Sequence, residues 1–571
     1  MTITQQQIPT WTAVKILFRY FRPYTKQGAA FLLVMGLSSL SPVLTPIFLK
    51  IIVDDVLISH NMQLGWLILG LWLATILIQC VSSYYMEYLR EWLSTRVGND
   101  IREDVFNHLI RLPLDYYKEN KFGDILHRVN NEVDMIKGVF TNEVFRIFQS
   151  GILLLGITVM VIWLSAKLFL IVLFMSPLFV FLFLHFKPKN EAQSEGVVNA
   201  QSELLNYLTD RLKKISLIKI FHSYEIERKI KRDKGMALLN KRVARARTSA
   251  TFSGISTFLL LMGPVLIILF GGQRVMAGEM TIGGLLASFQ YLTRVFYPLT
   301  SIIDSQMDLG SAVVSMRRIL ELLDTPTEEL AHDAQKHAHA PAGVIAFENV
   351  SFSHRDKSIL QDLSLQLFQG KKYALIGPSG VGKSTLLQLL FRFNNPDSGS
   401  IKINGTDIRK YDLEAWRKKI VFVTQDGLLF DGSISDNIFY SVMNNDGDAG
   451  GLLYKERLTS ILPILNAELK ENINKNSQKV SGGEAQRIAL ARATMKEADI
   501  ILLDEATSAL DAAAEKEVLD YLFEIWKGKT IILVSHRLST ITFMDKVIYM
   551  DEGKVTERGP LEPVANWQDP V

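Results

Sequence analysis

The first half of the chain alternates long apolar runs with polar links. Six runs approach the roughly 20 apolar residues that a helix needs to cross the hydrocarbon core of a bilayer. They are Ala29–Leu49, Gly65–Tyr85, Ile147–Leu164, Leu168–Phe186, Phe252–Gly271 and Thr281–Ile303. This pattern predicts an all-α domain of six transmembrane helices over residues 27–323. Before it, Trp11–Tyr24 mixes aromatic residues with cations, which predicts an interfacial elbow helix over residues 1–26.

The polar links differ in length and in charge. The links after the first, third and fifth runs are short, and Val53–Leu64 contains no Lys or Arg. The other two links are long: Arg90–Arg128 contains seven Lys or Arg, and Lys187–Arg247 contains fifteen. Because positively charged links stay in the cytosol, we expect a multi-pass protein of the cytoplasmic membrane whose long links and termini are all cytosolic.

The pattern changes after the sixth run. From Val344, short β-branched stretches alternate with helical patterns, which is typical of an α/β domain. The predicted fold is therefore multidomain, with the six-helix domain followed by an α/β domain at residues 344–571. The polar stretch at 324–343 is predicted to be a linker. Its histidines (His332, His337 and His339) lack the carboxylate or cysteine spacing of a metal site.

A phosphate-binding loop lies near the start of this α/β domain and identifies it as a predicted P-loop ATPase cassette. Residues 377–384 fit the pattern G-x-x-x-x-G-K-[ST], in which successive backbone N–H groups face phosphate oxygens at a helix N-terminus. The predicted phosphate-binding residues are Gly377, Pro378, Ser379, Gly380, Val381, Gly382, Lys383, Ser384 and Thr385. Lys383 is expected to reach the terminal phosphates of ATP and Ser384 to bind Mg²⁺.

Two carboxylates follow an apolar strand pattern further along the chain. Asp504 ends the run that begins at Ile500, where it can hold Mg²⁺, and Glu505 can orient or deprotonate the attacking water. A carboxylate pair after a strand is often only a helix cap, but here it accompanies a phosphate loop. His536 follows a further strand pattern, and a neutral imidazole there could contact the γ-phosphate. Lys383, Glu505 and His536 are the predicted catalytic residues.

These motifs, in this order and behind six apolar runs, resemble the ATP-binding cassette (ABC) transporter superfamily. The resemblance covers nearly the whole chain and points to the exporter class, in which one membrane domain is fused to one cassette. It implies that Gln425 contacts Mg²⁺ and that the signature motif, Val480–Glu484, completes the ATP site of a facing chain. The nucleotide-site residues that it adds are Gln425, Ser481, Gly482, Gly483, Glu484 and Asp511. Segments Pro113–Asp124 and Ile220–Ile226 resemble two coupling helices.

The sequence departs from the superfamily pattern at two places. His354 stands where an aromatic Tyr usually stacks on adenine, and imidazole offers less stacking area. Residues 471–479 lack the usual Glu-Arg-Gly loop, so the usual acidic contact to a coupling helix is missing. The second departure affects the expected coupling, not the ATPase.

Composition adds three limits. The 571 residues are 48% hydrophobic with a mean hydropathy of +0.16, which is high for a soluble protein. A net charge of +3 gives no indication of nucleic acid binding. Cys80 is the single cysteine, so a disulfide within one chain is excluded, and we expect this thiol to pack or face lipid.

The cargo is the least determined feature. Arg294 lies within the sixth run, and an ionisable residue there suggests a cavity. Helical spacing places Gln290 and Tyr297 near the same face, and Tyr291 and Asp304 lie close by. The alternative for Arg294 is a structural ion pair with a carboxylate on a neighbouring helix.

The predicted function is ATP-driven export of a hydrophobic or amphipathic compound, such as a small peptide, drug or lipid. ATP and Mg²⁺ are the expected cofactors. The expected partner is a second copy of the chain, or a related half-transporter, within membrane lipid. An importer of the same architecture and a non-pumping, ATP-gated regulatory subunit are the alternatives.

Overall fold

The computed structural model describes residues 19–120, 122–328, 342–354, 357–441, 461, 463–465, 467, 469 and 480–558. Most of the predicted elbow helix, the linker histidines and residues 471–479 lie outside this set. Contacts divide the chain into two units. The membrane unit is formed by Met1–Asn107 with Gly123–Asp324, and the cassette unit by His108–Phe122 with Thr325–Val571. The segment at 108–122, predicted as part of the membrane domain, thus packs with the cassette.

Long helices carry all six predicted runs. The helices up to residue 323 are α1 (Thr25–Ile51), α2 (Met62–Leu109), α3 (Leu114–Glu119), α4 (Phe122–His127), α5 (Val133–Gly138), α6 (Phe145–Leu164), α7 (Ala166–Lys213), α8 (Ile215–Ile220), α9 (Tyr224–Met276) and α10 (Ile282–Leu323). Among the described residues, four helical segments are long and apolar enough to cross a membrane, namely Arg19–Leu57, Met62–Leu109, Phe122–Leu164 and Tyr224–Met276. The prediction of a helical membrane-spanning region is confirmed, and the spans on α7 and α10 stay predictions.

The core of the membrane unit joins four helices. Ile157 of α6, Phe179 of α7, Ile267 of α9 and Phe296 of α10 are buried together. Helices α7 and α9 contain 48 and 53 residues, which correspond to about 72 and 80 Å. Both are much longer than the roughly 30 Å hydrocarbon core, so they extend well beyond it.

The cassette is built on two sheets. Its strands are β1 (Ile345–His354), β2 (Lys357–Leu367), β3 (Lys372–Ile376), β4 (Ser398–Ile403), β5 (Thr406–Asp407), β6 (Ile420–Val423), β7 (Ile500–Asp504), β8 (Thr530–Val534), β9 (Lys546–Asp551) and β10 (Lys554–Arg558). Its helices beyond residue 380 are α11 (Lys383–Leu390), α12 (Leu413–Lys418), α13 (Ile434–Phe439), α14 (Gly482–Thr494), α15 (Ala512–Ile525) and α16 (Leu538–Ile541). One sheet has the order β2-β1-β4-β5, and the other has the order β10-β9-β3-β8-β7-β6. The predicted α/β cassette is confirmed.

The larger sheet is buried on both faces. Alternate residues of β7 enter two different cores, Ile501 and Leu503 on one face and Ile500 and Leu502 on the other. Apolar side chains on both faces explain why such strands read as continuous hydrophobic runs. Strands β3, β8, β7 and β6 are parallel neighbours. Their carboxyl ends therefore lie at one edge, where open α/β sheets bind ligands.

Candidate functional site

The phosphate loop leaves the carboxyl end of β3 in a conformation that requires glycine. Gly377 has a φ of 148°, and a Cβ there would lie 2.2 Å from the backbone oxygen of Met550. Gly382 has a φ of 107° and is the N-cap of α11. Residues 378–380 are exposed. The loop therefore forms an open backbone cradle at a helix N-terminus, which suits phosphate groups.

Charged and hydroxyl side chains converge beneath this cradle. Lys383 is buried, and its Nζ donates to the backbone oxygens of Gly377 and Pro378, each at 2.8 Å. Ser384 Oγ donates to Asp504 Oδ1 at 3.0 Å. Burial lowers the pKa of Lys383 and raises the pKa of Asp504, so each charge is poorly solvated in this arrangement.

The carboxylate of Glu505 is held from two sides. Gln425 Nε2 donates to Glu505 Oε2 at 2.8 Å, and His536 Nε2 lies 3.1 Å from Glu505 Oε1. Glu505 has a φ of 48°, in the left-handed region that a non-glycine residue rarely adopts. Such strain is common at functional sites because it fixes the direction of a side chain. Residues that follow β6, β7 and β8 therefore meet around one carboxylate.

Oxygen ligands for Mg²⁺ are available at the same place. The hydroxyl of Ser384, the carboxylate of Asp504 and the side-chain oxygen of Gln425 are hard oxygen donors of the kind that Mg²⁺ prefers. This donor set therefore fits Mg²⁺, and the backbone cradle beside it suits phosphate groups.

The signature residues begin a helix elsewhere in the cassette. Ser481 is the N-cap of α14, where it forms a capping box with Glu484. Gly483 packs closely against the segment before Asp511, since a Cβ on it would lie 3.0 Å from the backbone oxygen of Ala509. Asp511 caps α15 by accepting from the backbone N–H of Ala514 at 2.8 Å. Within this chain, the carboxylate of Asp511 therefore has a local structural partner.

His354 is at the end of β1, and its side chain is exposed. An exposed ring at this position is accessible to an adenine base. Its role in stacking stays a prediction.

One residue of the site was missed by sequence reasoning. Gln486 on α14 is buried, and its amide bonds to the backbone of Gln425 and to the turn after Glu505. It lies two residues after Glu484, the last residue of the signature motif, so the motif does not include it. A polar residue on the buried side of a helix was the available signal.

The first predicted coupling segment contains a short helix that contacts the cassette. Helix α3 lies within Pro113–Asp124, and Asn394, with its amide oriented to satisfy both polar atoms, donates to Asp115 at 3.2 Å. The backbone N–H of Glu328 donates to the backbone oxygen of Arg111 at 2.9 Å. These contacts attach the segment to the cassette.

The second predicted coupling segment is displaced. The short helix is α8 (Ile215–Ile220), not Ile220–Ile226, because His222 adopts a left-handed φ of 47° and α9 begins at Tyr224. The predicted segment therefore covers the end of the short helix and the turn that follows it.

Arg294 has a backbone partner. Its Nη1 donates to the oxygen of Pro42 at 2.8 Å, and the buried Tyr291 donates to the oxygen of Val43. Pro46 has no N–H, so the oxygen of Pro42 has no partner within α1. The structural reading of Arg294 is therefore favoured, although the expected carboxylate is replaced by a carbonyl. Tyr297 is 69% exposed, and the side chain of Asp304 lies outside the described residues.

Comparison with known proteins assigns both halves of the chain. The profile described as "ABC transporter transmembrane region" matches residues 29–299, and that described as "ABC transporter" matches residues 360–508. The second match contains the phosphate loop, Gln425, the signature motif and Glu505.

Curated relatives align over nearly the full length. YgaD of Bacillus subtilis (strain 168), whose name describes a candidate multidrug export ATP-binding/permease protein, is 29% identical over 97% of each chain. The ATP-dependent lipid A-core flippase of Dechloromonas aromatica (strain RCB) is 30% identical over 95% of this chain and 93% of its own. The lipid A-core flippase of Haemophilus ducreyi (strain 35000HP / ATCC 700724) is 30% identical over 85% of this chain and 84% of its own.

Proposed function

This chain belongs to the ABC transporter family as an ATP-driven exporter, and we propose that two copies of it move a lipid-like or drug-like amphipathic molecule out of the cytosol. The observation that carries the proposal is the placement of Glu505 between Gln425 and His536 beside the phosphate loop. The side chains of Lys383, Ser384 and Asp504, which we assign to ATP and Mg²⁺, lie at the same place.

Hydrolysis follows from the roles of these side chains. Lys383 and the loop N–H groups bind the terminal phosphates, while Ser384, Asp504 and Gln425 would hold Mg²⁺, which supplies neutralisation of phosphate charge. Glu505 accepts a proton from the water whose oxygen attacks the γ-phosphorus, and the bond to the leaving ADP oxygen breaks. His536 orients Glu505 and the attacking water.

Pairing of two chains is supported by an exposed apolar tip. Around α8, the side chains of Ile215, Ile220, Phe221 and Ile226 are 42%, 68%, 74% and 63% exposed. Such an exposed apolar patch, where the cation-rich link joins the ends of α7 and α9, is a protein contact site. Since the signature motif of this family completes the site of a facing cassette, we assign the tip to the cassette of a second copy.

Topology follows from charge. The long links carry the cations, so we place them, the cassette and both termini in the cytosol and the protein in the cytoplasmic membrane. The relatives whose names state a direction are exporters or flippases, which supports export over import. The intact Lys383, Glu505 and His536 support a hydrolysing pump over a non-pumping regulator.

Transport into inside-out vesicles tests this proposal. Vesicles containing the wild-type protein should accumulate the amphipathic dye Hoechst 33342, or expose a fluorescent phospholipid on the luminal leaflet, only with ATP. Glu505→Gln vesicles are the matched control and should do neither. Loss of preloaded probe from the lumen would instead indicate import, and ATP-gated leakage that persists in Glu505→Gln would indicate a non-pumping channel.

Mixing inactive chains tests the shared site. Ser481→Arg and Lys383→Ala chains should each be inactive as homodimers, and their mixture should recover activity from at most one intact site per dimer. A stable monomer with full ATPase activity would refute the pairing.

A further inference from the structure

A buried glutamine lies where three segments of the ATP site meet. Gln486 is 3% exposed. Its Nε2 donates to the backbone oxygen of Gln425 at 3.2 Å and to Ser508 Oγ at 3.0 Å, and its Oε1 accepts from the backbone N–H of Ala509 at 2.8 Å. The same Nε2 lies 3.5 Å from the backbone oxygen of Glu505. The amide of Gln486 therefore contacts the backbone of Glu505 and the backbone of Gln425, whose side chain binds the Glu505 carboxylate. It also contacts the turn that follows Glu505.

This amide is anchored in the helix that the signature motif begins. Gln486 lies near the start of α14, whose first turn packs tightly against the same segments. A Cβ on Gly483 would lie 3.0 Å from the backbone oxygen of Ala509, and one on Gly427 would lie 3.2 Å from the backbone nitrogen of Gln486. Because the packing here is this close, a displacement of this turn must also move the neighbouring segments.

We propose that Gln486 is the positioning residue through which the signature motif of a chain controls hydrolysis by Glu505 of the same chain. The inference rests on the proposed pairing, in which the signature motif and Glu505 of one chain serve different ATP molecules. When ATP binds against the signature motif, it fixes the position of the first turn of α14. Gln486 then fixes the backbones of Gln425 and Glu505 for attack at the second ATP.

The chemistry of the amide allows shape and hydrogen bonding to be separated. An amide is both a hydrogen-bond donor and an acceptor. In this site three acceptor oxygens of other residues lie around Nε2 of Gln486. Gln486→Met keeps the length but removes both functions. Gln486→Glu keeps the acceptor but directs a carboxylate at the backbone oxygens of Gln425 and Glu505. Protonation of that carboxylate at lower pH restores one O–H donor.

The test measures phosphate release from Mg-ATP by the full-length protein in lipid nanodiscs. Because misplacement of a reacting group by about 1 Å costs on the order of 100-fold, we expect kcat to fall about 10- to 100-fold in Gln486→Met, with KM for ATP within about twofold. Gln366→Met, on an exposed position of β2, is the control and should match the wild type. The activity of Gln486→Glu relative to wild type should rise between about pH 8 and about pH 6, since burial raises a carboxyl pKa.

Two outcomes overturn the inference. One is a lowered melting temperature in Gln486→Met with wild-type kcat, which identifies a purely structural amide. The other is a pH-independent activity ratio for Gln486→Glu, which decides the question alone if Gln486→Met fails to fold. Glu505→Gln, measured alongside, separates the two proposals. Wild-type turnover there contradicts the proposed function, whereas loss there with full turnover in Gln486→Met contradicts only the role of Gln486.

Discussion

The ATP site and the Arg294 region of α10 each bind a cation through backbone oxygens, but the two cations have different surroundings. Lys383 is bound by backbone oxygens of its own loop, beside Glu505 and Asp504, in a cradle open to phosphate. Arg294 donates to the backbone oxygen of Pro42, which the ring of Pro46 leaves without a helical partner. Lys383 therefore lies beside a site that can bind a ligand, whereas Arg294 pairs with a backbone oxygen of a neighbouring helix.

This difference separates catalytic charge from structural charge. A buried polar group normally has a hydrogen-bond partner, since leaving the group unpaired costs about 1–3 kcal/mol. When the partner is a fixed carbonyl on a neighbouring helix, the polar group is explained without a ligand. When several ionisable groups surround an open backbone cradle, the missing partner is the substrate.

The largest expected effect is at the ATP site. Glu505→Gln keeps the shape but cannot accept the proton of the attacking water, so phosphate release should fall at least about 100-fold, the lower range for a general base. ATP should remain trapped, and the melting temperature should not fall. Phosphate release and nucleotide retention by purified protein measure both. Turnover near that of the wild type would remove Glu505 from the mechanism.

Arg294→Ala gives the opposite pattern and a smaller effect. It leaves the oxygen of Pro42 without its donor, so we expect a loss of about 1–3 kcal/mol of stability and little change in basal ATPase per folded molecule. Arg294→Lys retains a donor and should recover part of this loss. Melting temperature and dye-stimulated ATPase are measured on one preparation. Normal stability with abolished stimulation would instead identify a cargo ligand and remove the contrast with Lys383.

A third polar contact lies between these extremes. Arg417 binds Glu328 through two hydrogen bonds, at 2.6 and 3.1 Å, and both side chains are about four-fifths buried, with exposures of 22% and 18%. Glu328→Gln should therefore cost about 1–2 kcal/mol, more than an exposed pair contributes. The control is Glu414→Gln, which breaks the exposed pair with Lys418 and should have no measurable effect. Equal melting temperatures for the two variants would contradict this ranking.

His354 should give the smallest effect and only on ATP affinity. An aromatic contact contributes about 0.5–1.5 kcal/mol, so His354→Ala should raise KM for ATP about threefold to tenfold at unchanged kcat. His354→Tyr should leave KM unchanged or lower it. Titration of ATP against phosphate release measures both variants, and an unaltered KM in His354→Ala would show that the ring does not stack.

The motifs predicted residues that the structure brings together, because phosphate chemistry dictates residue type and strand position together. The loop at Gly377, the carboxylates after β7 and His536 after β8 each follow a strand, and parallel strands bring such residues to one edge. The apolar runs predicted membrane-spanning helices for a similar reason, since bilayer thickness fixes the length of the apolar part of each helix. In both cases one physical constraint acts along the sequence itself.

Sequence patterns could not predict hydrogen-bond partners that are backbone atoms. The carbonyl that binds Arg294 carries no residue type, and only the proline pair Pro42 and Pro46 in α1 indicates an unpaired oxygen. The contacts of Gln486 likewise depend on the backbone of two separate segments, at Gln425 and at Glu505–Ala509. The end of α8 was misplaced because the left-handed turn at His222 has no glycine to mark it.

Attachment of residues 108–122 to the cassette also constrains the order in which the chain can mature. Ribosomes make this segment some two hundred residues before Glu328 and Asn394, with which it later bonds. During that interval Asp115 and the backbone of Arg111 lack the hydrogen-bond partners that they have in the folded protein. A chain that stops before the cassette therefore leaves this stretch unpaired, and a cassette expressed alone lacks one piece of its own surface. The cassette unit is therefore complete only after Glu328 and Asn394 have been made and its two separated parts have joined.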